Sequence, residues 1–266
     1  MISTFHNHTN FCDGKNSPRE MVEYAYSLGL EAIGLSGHAN TPFDESYCMR
    51  DMKGYIMEVL SLKEEFKGKI DVYLGIEEDA LSLTNRGDYG YIIGSSHYLL
   101  KDGAYYSLDS SKDHVRNALK AYNGNPIKLA DDYYFNFCSY LKSRKPDVVG
   151  HFDLITKFEE MGESFFLKDE RYLKLAERYL DSIIPLNLIF EVNVGAMLKG
   201  YRTTPYPSIN LLSRLKKQEG KILLSGDCHR KEDLAYDYSL VVSLLKDIGF
   251  KSIYSLKDGV FTKEKL

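Results

Sequence analysis

Six of the seven histidines in this chain stand where an apolar run ends, and most have a carboxylate nearby. His6 and His8 close the first run, with Asp13 shortly after. His38 follows Ala32-Ile33-Gly34-Leu35-Ser36, His97 follows Tyr91 to Ser96, and His151 follows Val148-Val149-Gly150. Glu77 ends Val72 to Ile76, and Asp227 and His229 end the run through Leu224-Ser225-Gly226. Imidazoles and carboxylates gathered from many strand ends are the donor set of a polynuclear metal site. Such a site suits hydrolysis, because bound ions acidify water and neutralise phosphoryl oxygens.

The spacing narrows the choice. His6 and His8 are two apart, as are Asp227 and His229, and residues two apart on a strand point to the same side. Glu77 continues its strand more directly than Glu78 or Asp79, so it is the ligand chosen from that acidic string. Asp13 sits in the returning loop Asn10-Phe11-Cys12-Asp13-Gly14. Cys12 and Cys228 adjoin ligands, but strand neighbours face opposite ways, so both are read as small buried hydrophobes. His114 falls inside a helix and is left out. Nine candidate ligands remain: His6, His8, Asp13, His38, Glu77, His97, His151, Asp227 and His229. A single catalytic ion needs about three protein ligands, so this set suits two or three divalent ions. Mixed imidazole and carboxylate donors favour Zn, Mn or Fe over Ca or Mg.

The elements that must carry these residues alternate. Strands are expected at 2–6, 31–36, 70–76, 89–95, 147–150, 188–193 and 221–225. Helices are expected after Ser17 (an N-cap with Pro18 and Glu20 behind it), then at 51–66, 169–184, 207–219 and 231–249. The stretch 112–144 reads as two helices split at Asn123-Gly124-Asn125-Pro126, and 253–256 and 259–262 are short and ambiguous. Strand then helix, repeated seven times, implies a parallel sheet. An open sheet puts its ligand at one switch point, whereas polar residues ending nearly every strand fit the ring of strand ends in a barrel. The expected fold is α/β, a distorted (β/α)7 TIM-like barrel, with residues 1–266 as one domain.

Composition agrees. The chain has 266 residues, close to the roughly 250 of one barrel, and 44% are hydrophobic, enough for a large core. A net charge of −4 argues against a general nucleic-acid binder. The four cysteines form no CxxC pair, the opening does not read as a signal peptide, and the most apolar stretch, 183–198, is too short and polar for a bilayer. A cytoplasmic protein acting on a small molecule, with no nucleic acid or membrane partner, is the expectation.

Four strings give the chain a family resemblance: Phe5-His6-Asn7-His8-Thr9; Leu188-Ile189-Phe190-Glu191-Val192-Asn193; Gly200-Tyr201-Arg202 through Pro205-Tyr206-Pro207-Ser208; and Ser225-Gly226-Asp227-Cys228-His229. It resembles the PHP (polymerase and histidinol phosphatase) family along its whole length, and within it the monofunctional histidinol-phosphate phosphatase branch. The resemblance implies a distorted (β/α)7 barrel with a trinuclear centre. His6, His8, Glu77 and Asp227 would hold one ion, Glu77 would bridge to a second held with His97 and His151, and Asp13, His38 and His229 would hold the third. Where the family commonly has serine or an alanine-like residue, this chain has Cys228.

The implied reaction is hydrolysis of a phosphate monoester in histidine biosynthesis. Arg202, in the loop after the sixth strand, is the candidate for binding the phosphate, with Arg230 second. Asn193 ends that strand and is a candidate for orienting the site, and Glu191 shares its parity. Asp13 and His229 are candidates for serving the leaving group. The segment Asp131-Asp132-Tyr133-Tyr134-Phe135 is read as an aromatic loop capping the pocket. A phosphodiesterase or exonuclease of the same superfamily is the alternative. An amidohydrolase-type enzyme and a non-catalytic metal protein are more distant readings.

Overall fold

The computed structural model describes residues 3–266, so the beginning of the expected first strand, at Ile2, lies outside the described residues. In chain order the strands are β1 (Ser3–Thr4), β2 (Ala32–Leu35), β3 (Asp71–Asp79), β4 (Tyr91–Ser95), β5 (Tyr98–Lys101), β6 (Ala104–Ser107), β7 (Val148–Val149), β8 (Ile189–Asn193), β9 (Lys221–Ser225), β10 (Ser252–Lys257) and β11 (Val260–Lys265). The helices are α1 (Pro18–Ser27), α2 (Met52–Glu65), α3 (Lys112–Ala121), α4 (Pro126–Arg144), α5 (Glu170–Ile183), α6 (Gly195–Leu198), α7 (Ile209–Lys217) and α8 (Ser239–Ile248). Seven strands are neighbours in one sheet, in the order β1-β2-β3-β4-β7-β8-β9. The pairs β1–β2, β2–β3 and β7–β8 run parallel. A parallel bridge from Asn7 to Cys228 links the chain beyond β1 to the chain beyond β9, so the strand order returns to its start. This is the nearly closed seven-stranded α/β barrel expected from the alternation.

The chain divides into two compact units, one of residues up to Glu78 with Ser82–Ile93 and Ile222–Leu266, the other of Asp79–Leu81 with Gly94–Lys221. In the first, α1 begins as its sequence dictates. The Ser17 hydroxyl accepts from Glu20 N at 3.2 Å and the Glu20 carboxylate accepts from Ser17 N at 2.9 Å, a closed capping box of the kind worth about 1 kcal/mol. Tyr91 shows why two strand positions are glycine. A Cβ on Gly34 would lie 2.2 Å from its hydroxyl, and one on Gly75 would lie 2.2 Å from its ring. With both absent, the ring lies across the strands and its hydroxyl donates to Phe5 O. The ambiguous tail is the antiparallel hairpin β10–β11, turned at Asp258-Gly259 with both φ positive, which presses Phe261 edge-on against Phe5 and Tyr91.

Two expectations for this unit were too simple. The helix expected over 231–249 is a 3₁₀ turn at Lys231–Ala235 followed by α8 from Ser239. The Asp237 carboxylate accepts from both N and Oγ of Ser239, the first residue of the helix, at 2.9 Å, which fixes the chain in a turn between the two helical pieces. The third strand was expected to end at Ile76 but continues through Glu77, Glu78 and Asp79, all buried. Hydrogen bonding allows this: Glu78 Oε2, for one, accepts from Thr84 N and Oγ1 at 2.7 Å each.

In the second unit, α3 and α4 part at Asn123-Gly124 as expected, with Asn125 capping α4. The antiparallel hairpin β5–β6, turned at Asp102-Gly103, was not anticipated. The segment 131–135 is not a loop. It is the middle of α4, where Tyr133 and Tyr134 are fully buried and the Tyr134 ring packs at a tilt against Phe152 and Tyr172. Its carboxylates are engaged locally, Asp131 by Arg178 and Tyr179, Asp132 by Tyr122. Aromatic residues on a buried helical face read like a loop only when their 3.6-residue period is overlooked. Among the described residues no helix is long and apolar enough to cross a membrane.

Candidate metal centre

Two bridges between strand extensions assemble a cluster in the first unit. In a parallel bridge the paired residues face one way and their neighbours the other. Asn7 pairs with Cys228, so His6 and His8 share a face with Asp227 and His229. Backbone bonds from His8 N to Cys228 O (2.8 Å) and from Cys228 N to His6 O (3.2 Å) hold that register. On the other face, the Asn7 amide donates to Gly34 O at 2.8 Å, and Cys228 is fully buried. His38 pairs with Glu77, so both face the same side, with His38 Nδ1 2.8 Å from Glu77 Oε2. Asp227 itself is left-handed (φ 49°), a conformation that non-glycine residues adopt at some cost and that recurs at functional sites. It turns the carboxylate back toward the histidines beyond the end of β9.

The result is a dense donor set. Glu77 Oε2 lies 3.2 Å from His6 Nε2 and 3.6 Å from His8 Nε2. Asp227 Oδ1 lies 3.1 Å from His8 Nε2. Asp13 Oδ1 lies 3.4 Å from His8 Nδ1, and Asp13 Oδ2 lies 3.2 Å from His229 Nε2. The rings of His8 and His229 stack at 4.0 Å. Two groups, His6-His8-Glu77 and His8-Asp13-His38-His229, each bring one donor atom per residue within 4.8 Å of one another.

The electrostatics suit a cation. Burial, with His229 and His38 close by, lowers the His8 pKa to about 4, so the ring is neutral at pH 7 and offers a lone pair. Burial alone would raise the Asp13 carboxyl, but His38, His229 and His8 outweigh it and hold the group well below the usual carboxylate range. His8 Nε2 and Asp13 Oδ1 are buried without a hydrogen bond of acceptable geometry. Such atoms are costly unless something satisfies them, and a divalent cation does so. The donor set therefore fits divalent metal. Burial, then Asp13, pushes the Cys12 thiol up to about 12, which keeps it protonated. Cys12 lies in a turn, so strand parity does not apply to it. Its sulfur packs 3.6 Å from His8 Nδ1 and donates to Thr9 O.

The other two candidate ligands, His97 and His151, lie together in the second unit, rings 5.0 Å apart and both buried. The His151 backbone N donates to Glu191 Oε2 at 2.9 Å, and the Asn193 amide donates to the same oxygen at 2.9 Å. Asn193 Oδ1 in turn accepts from Gly195 N, so its amide braces the end of β8. Arg202 is buried rather than on the surface. Its guanidinium lies 4.4 Å over the Tyr206 ring and donates to Thr156 Oγ1, Thr204 O and Pro205 O. Tyr206 in turn meets His151 edge-on at 6.2 Å. Arg230 is exposed and lies 3.7 Å from Glu232. His114 is on α3, beside its Ser111 cap.

Three residues the sequence reading passed over bear on these sites. Tyr47 meets His38 edge-on at 4.7 Å. Thr156 holds Arg202. Asp79 holds His97. Only Asp79 had a signal, its two-residue spacing from Glu77 within one strand.

A barrel whose strand ends gather imidazoles and carboxylates defines a metal-dependent hydrolase class. The PHP domain family matches residues 4–195, and the chain belongs to that family. It is 26% identical to the histidinol-phosphatase of Bacillus subtilis over 88% of this chain and 95% of that one. It shares its fold, at TM-score 0.76 and 20% identity, with a Listeria monocytogenes protein provisionally named a histidinol phosphatase, covering 90% of this chain and 99% of that one. A histidinol phosphate phosphatase from Lactococcus lactis, solved with zinc, L-histidinol and phosphate, aligns at TM-score 0.65 and 19% identity over 98% of both chains.

Proposed function

We propose that the chain is a metal-dependent phosphomonoesterase that converts L-histidinol phosphate and water to L-histidinol and phosphate in the cytoplasm. The observation that carries this is the convergence of His6, His8 and Glu77, and of His8, Asp13, His38 and His229, each within 4.8 Å, in a chain of the PHP family. The names of its relatives support the substrate. The net charge of −4 favours a small phosphate ester over nucleic acid.

Two or three divalent ions (Zn, Mn or Fe) would be held by His6, His8, Glu77 and Asp227, by Asp13, His38 and His229, and by His97 and His151. Bound there, they would acidify water and neutralise phosphoryl charge. The residues supply the rest. His6, His8 and Glu77 are at most 1% exposed and exclude water from one side, whereas the Asp13 side chain is 34% exposed, so substrate enters at the Asp13–His229 edge. Asp13 and His229, 3.2 Å apart at that edge, are the candidates for serving the leaving group, with Asp13 held as the carboxylate by the neighbouring rings. Arg202, fixed over Tyr206, supplies a permanent positive charge for the phosphate, and Asn193 and Glu191 brace the backbone beside it. Arg230, exposed and beside Glu232, is the secondary candidate.

The test is metal analysis paired with phosphate release from L-histidinol phosphate, generic phosphomonoesters, a dinucleotide and single-stranded DNA. Release from L-histidinol phosphate, abolished by chelation and restored by Zn or Mn, is expected. Release from the dinucleotide or DNA alone would reject the proposal.

A further inference from the structure

One carboxylate oxygen in the second unit holds His97 at two points. Asp79 Oδ2 accepts from the His97 backbone N at 2.8 Å and faces the ring Nδ1 at 3.3 Å. Its other oxygen accepts from Leu81 N at 2.8 Å, which ties down the carboxylate itself. Asp79 and His97 are buried, at 3% and 4% exposure, so water does not compete for these bonds. A carboxylate accepts hydrogen bonds and has no proton to give, so the ring nitrogen facing it carries the proton. A neutral imidazole protonated on Nδ1 keeps its lone pair on Nε2, and only that nitrogen can then bind a cation.

We propose that Asp79 is a positioning residue that locks His97 in the Nδ1–H tautomer and sets its ring angle, presenting Nε2 as a neutral donor to a divalent ion. This rests on reading His97 as a ligand. His229 supports the logic from the first unit, since its Nδ1 faces the Asp227 carbonyl oxygen at 2.9 Å, another group that can only accept. His151 is held differently: Glu191 Oε2 accepts from its backbone N, which places the residue without selecting a tautomer. Asp79 thus acts on the ring itself. Partners of this kind raise ligand basicity and orient the ring, and their loss typically costs 10–100-fold in metal affinity.

The experiment has two readouts. Long-range ¹H–¹⁵N NMR of the metal-free wild-type protein, with His97 assigned by His97→Gln, reports the tautomer directly. Zinc titration against a chromogenic chelator at pH 7.5 reports site affinities in wild type and Asp79→Ala. The expected result is Nδ1–H at His97 in wild type, a shift to Nε2–H in Asp79→Ala, and one zinc site weakened about 10–100-fold while the others keep their affinity. A wild-type His97 protonated on Nε2 overturns the proposal whether or not Asp79→Ala folds. Zinc uptake by wild type with unchanged affinities in Asp79→Ala overturns this proposal alone. A wild-type protein that takes up neither zinc, manganese nor iron overturns the proposed function, and this inference with it.

Discussion

Acid should weaken the metal-free fold at His8 first. Burial, reinforced by His229 and His38, moves this imidazole from 6.5 down to about 4. As pH falls below neutrality the unfolded chain takes up a proton near 6.5 that the folded protein still refuses. Stability is therefore lost between pH 6.5 and 4 and levels off below. Integrated from pH 7.5 to 4, the difference in proton binding amounts to about 3 kcal/mol. That is a large share of the roughly 5–15 kcal/mol that holds a typical domain folded. Asp13 does not blur the window, because its carboxyl is held well below the usual range and its stabilising contribution is lost only at still lower pH. Urea unfolding of chelator-treated protein, followed by circular dichroism at pH 7.5, 6.0 and 4.0, measures the effect against His8→Gln, which cannot titrate there. The stability difference between wild type and variant should change by about 3 kcal/mol across the range. A change below about 1 kcal/mol would mean that folded His8 takes up its proton as readily as the unfolded chain, and the buried neutral ligand described here would be wrong.

Three further outcomes are expected. Gly14→Ala puts a Cβ 2.5 Å from Thr9 N, so the turn carrying Asp13 must shift. Unfolding measurements should show a loss of about 1–3 kcal/mol, with weakened zinc binding in the chelator titration. Glu77→Gln keeps the shape but removes the charge from an oxygen facing His6, His8 and His38. Metal analysis should show fewer bound ions, and kcat/KM for L-histidinol phosphate should fall by about 100-fold or more. Arg202→Ala should lower kcat/KM for phosphomonoesters by about 10-fold or more with normal metal content, and unchanged kinetics would remove Arg202 from the substrate site.

The barrel was legible because alternation of short apolar strands with capped helices is a local signal repeated many times. Ser17-Pro18 and Asn125-Pro126 begin helices in the structure as their chemistry requires. What was missed depended on less local chemistry. The β5–β6 hairpin has an exposed outer face and no clean apolar alternation, and its Asp102-Gly103 turn was the only hint. The interruption before α8 depends on Asp237 accepting from Ser239 just ahead of the helix, and on Lys231 N donating to the distant Asn16 side chain.

The cluster in the first unit was legible for a reason only partly the one first applied. Parity along a strand suggested that His6 and His8, and Asp227 and His229, share a face. Yet β1 ends at Thr4 and β9 at Ser225, so neither pair lies on a regular strand. What keeps the parity valid is a single parallel bridge, Asn7 to Cys228, made after the sheet proper has ended. The residues between the ligands are therefore as much a part of the site as the ligands. Asn7 is tied by its amide to Gly34 O, and Cys228 is packed on the side away from the histidines. A sequence pattern of ligand, spacer, ligand names the donors, but the spacers decide whether they converge. The same holds along β3, where Glu77 and Asp79 share parity, one facing His38 across the His38–Glu77 bridge and the other holding His97. An acidic run that looks solvated in one dimension is, in the fold, a row of buried carboxylates, each with its own partner.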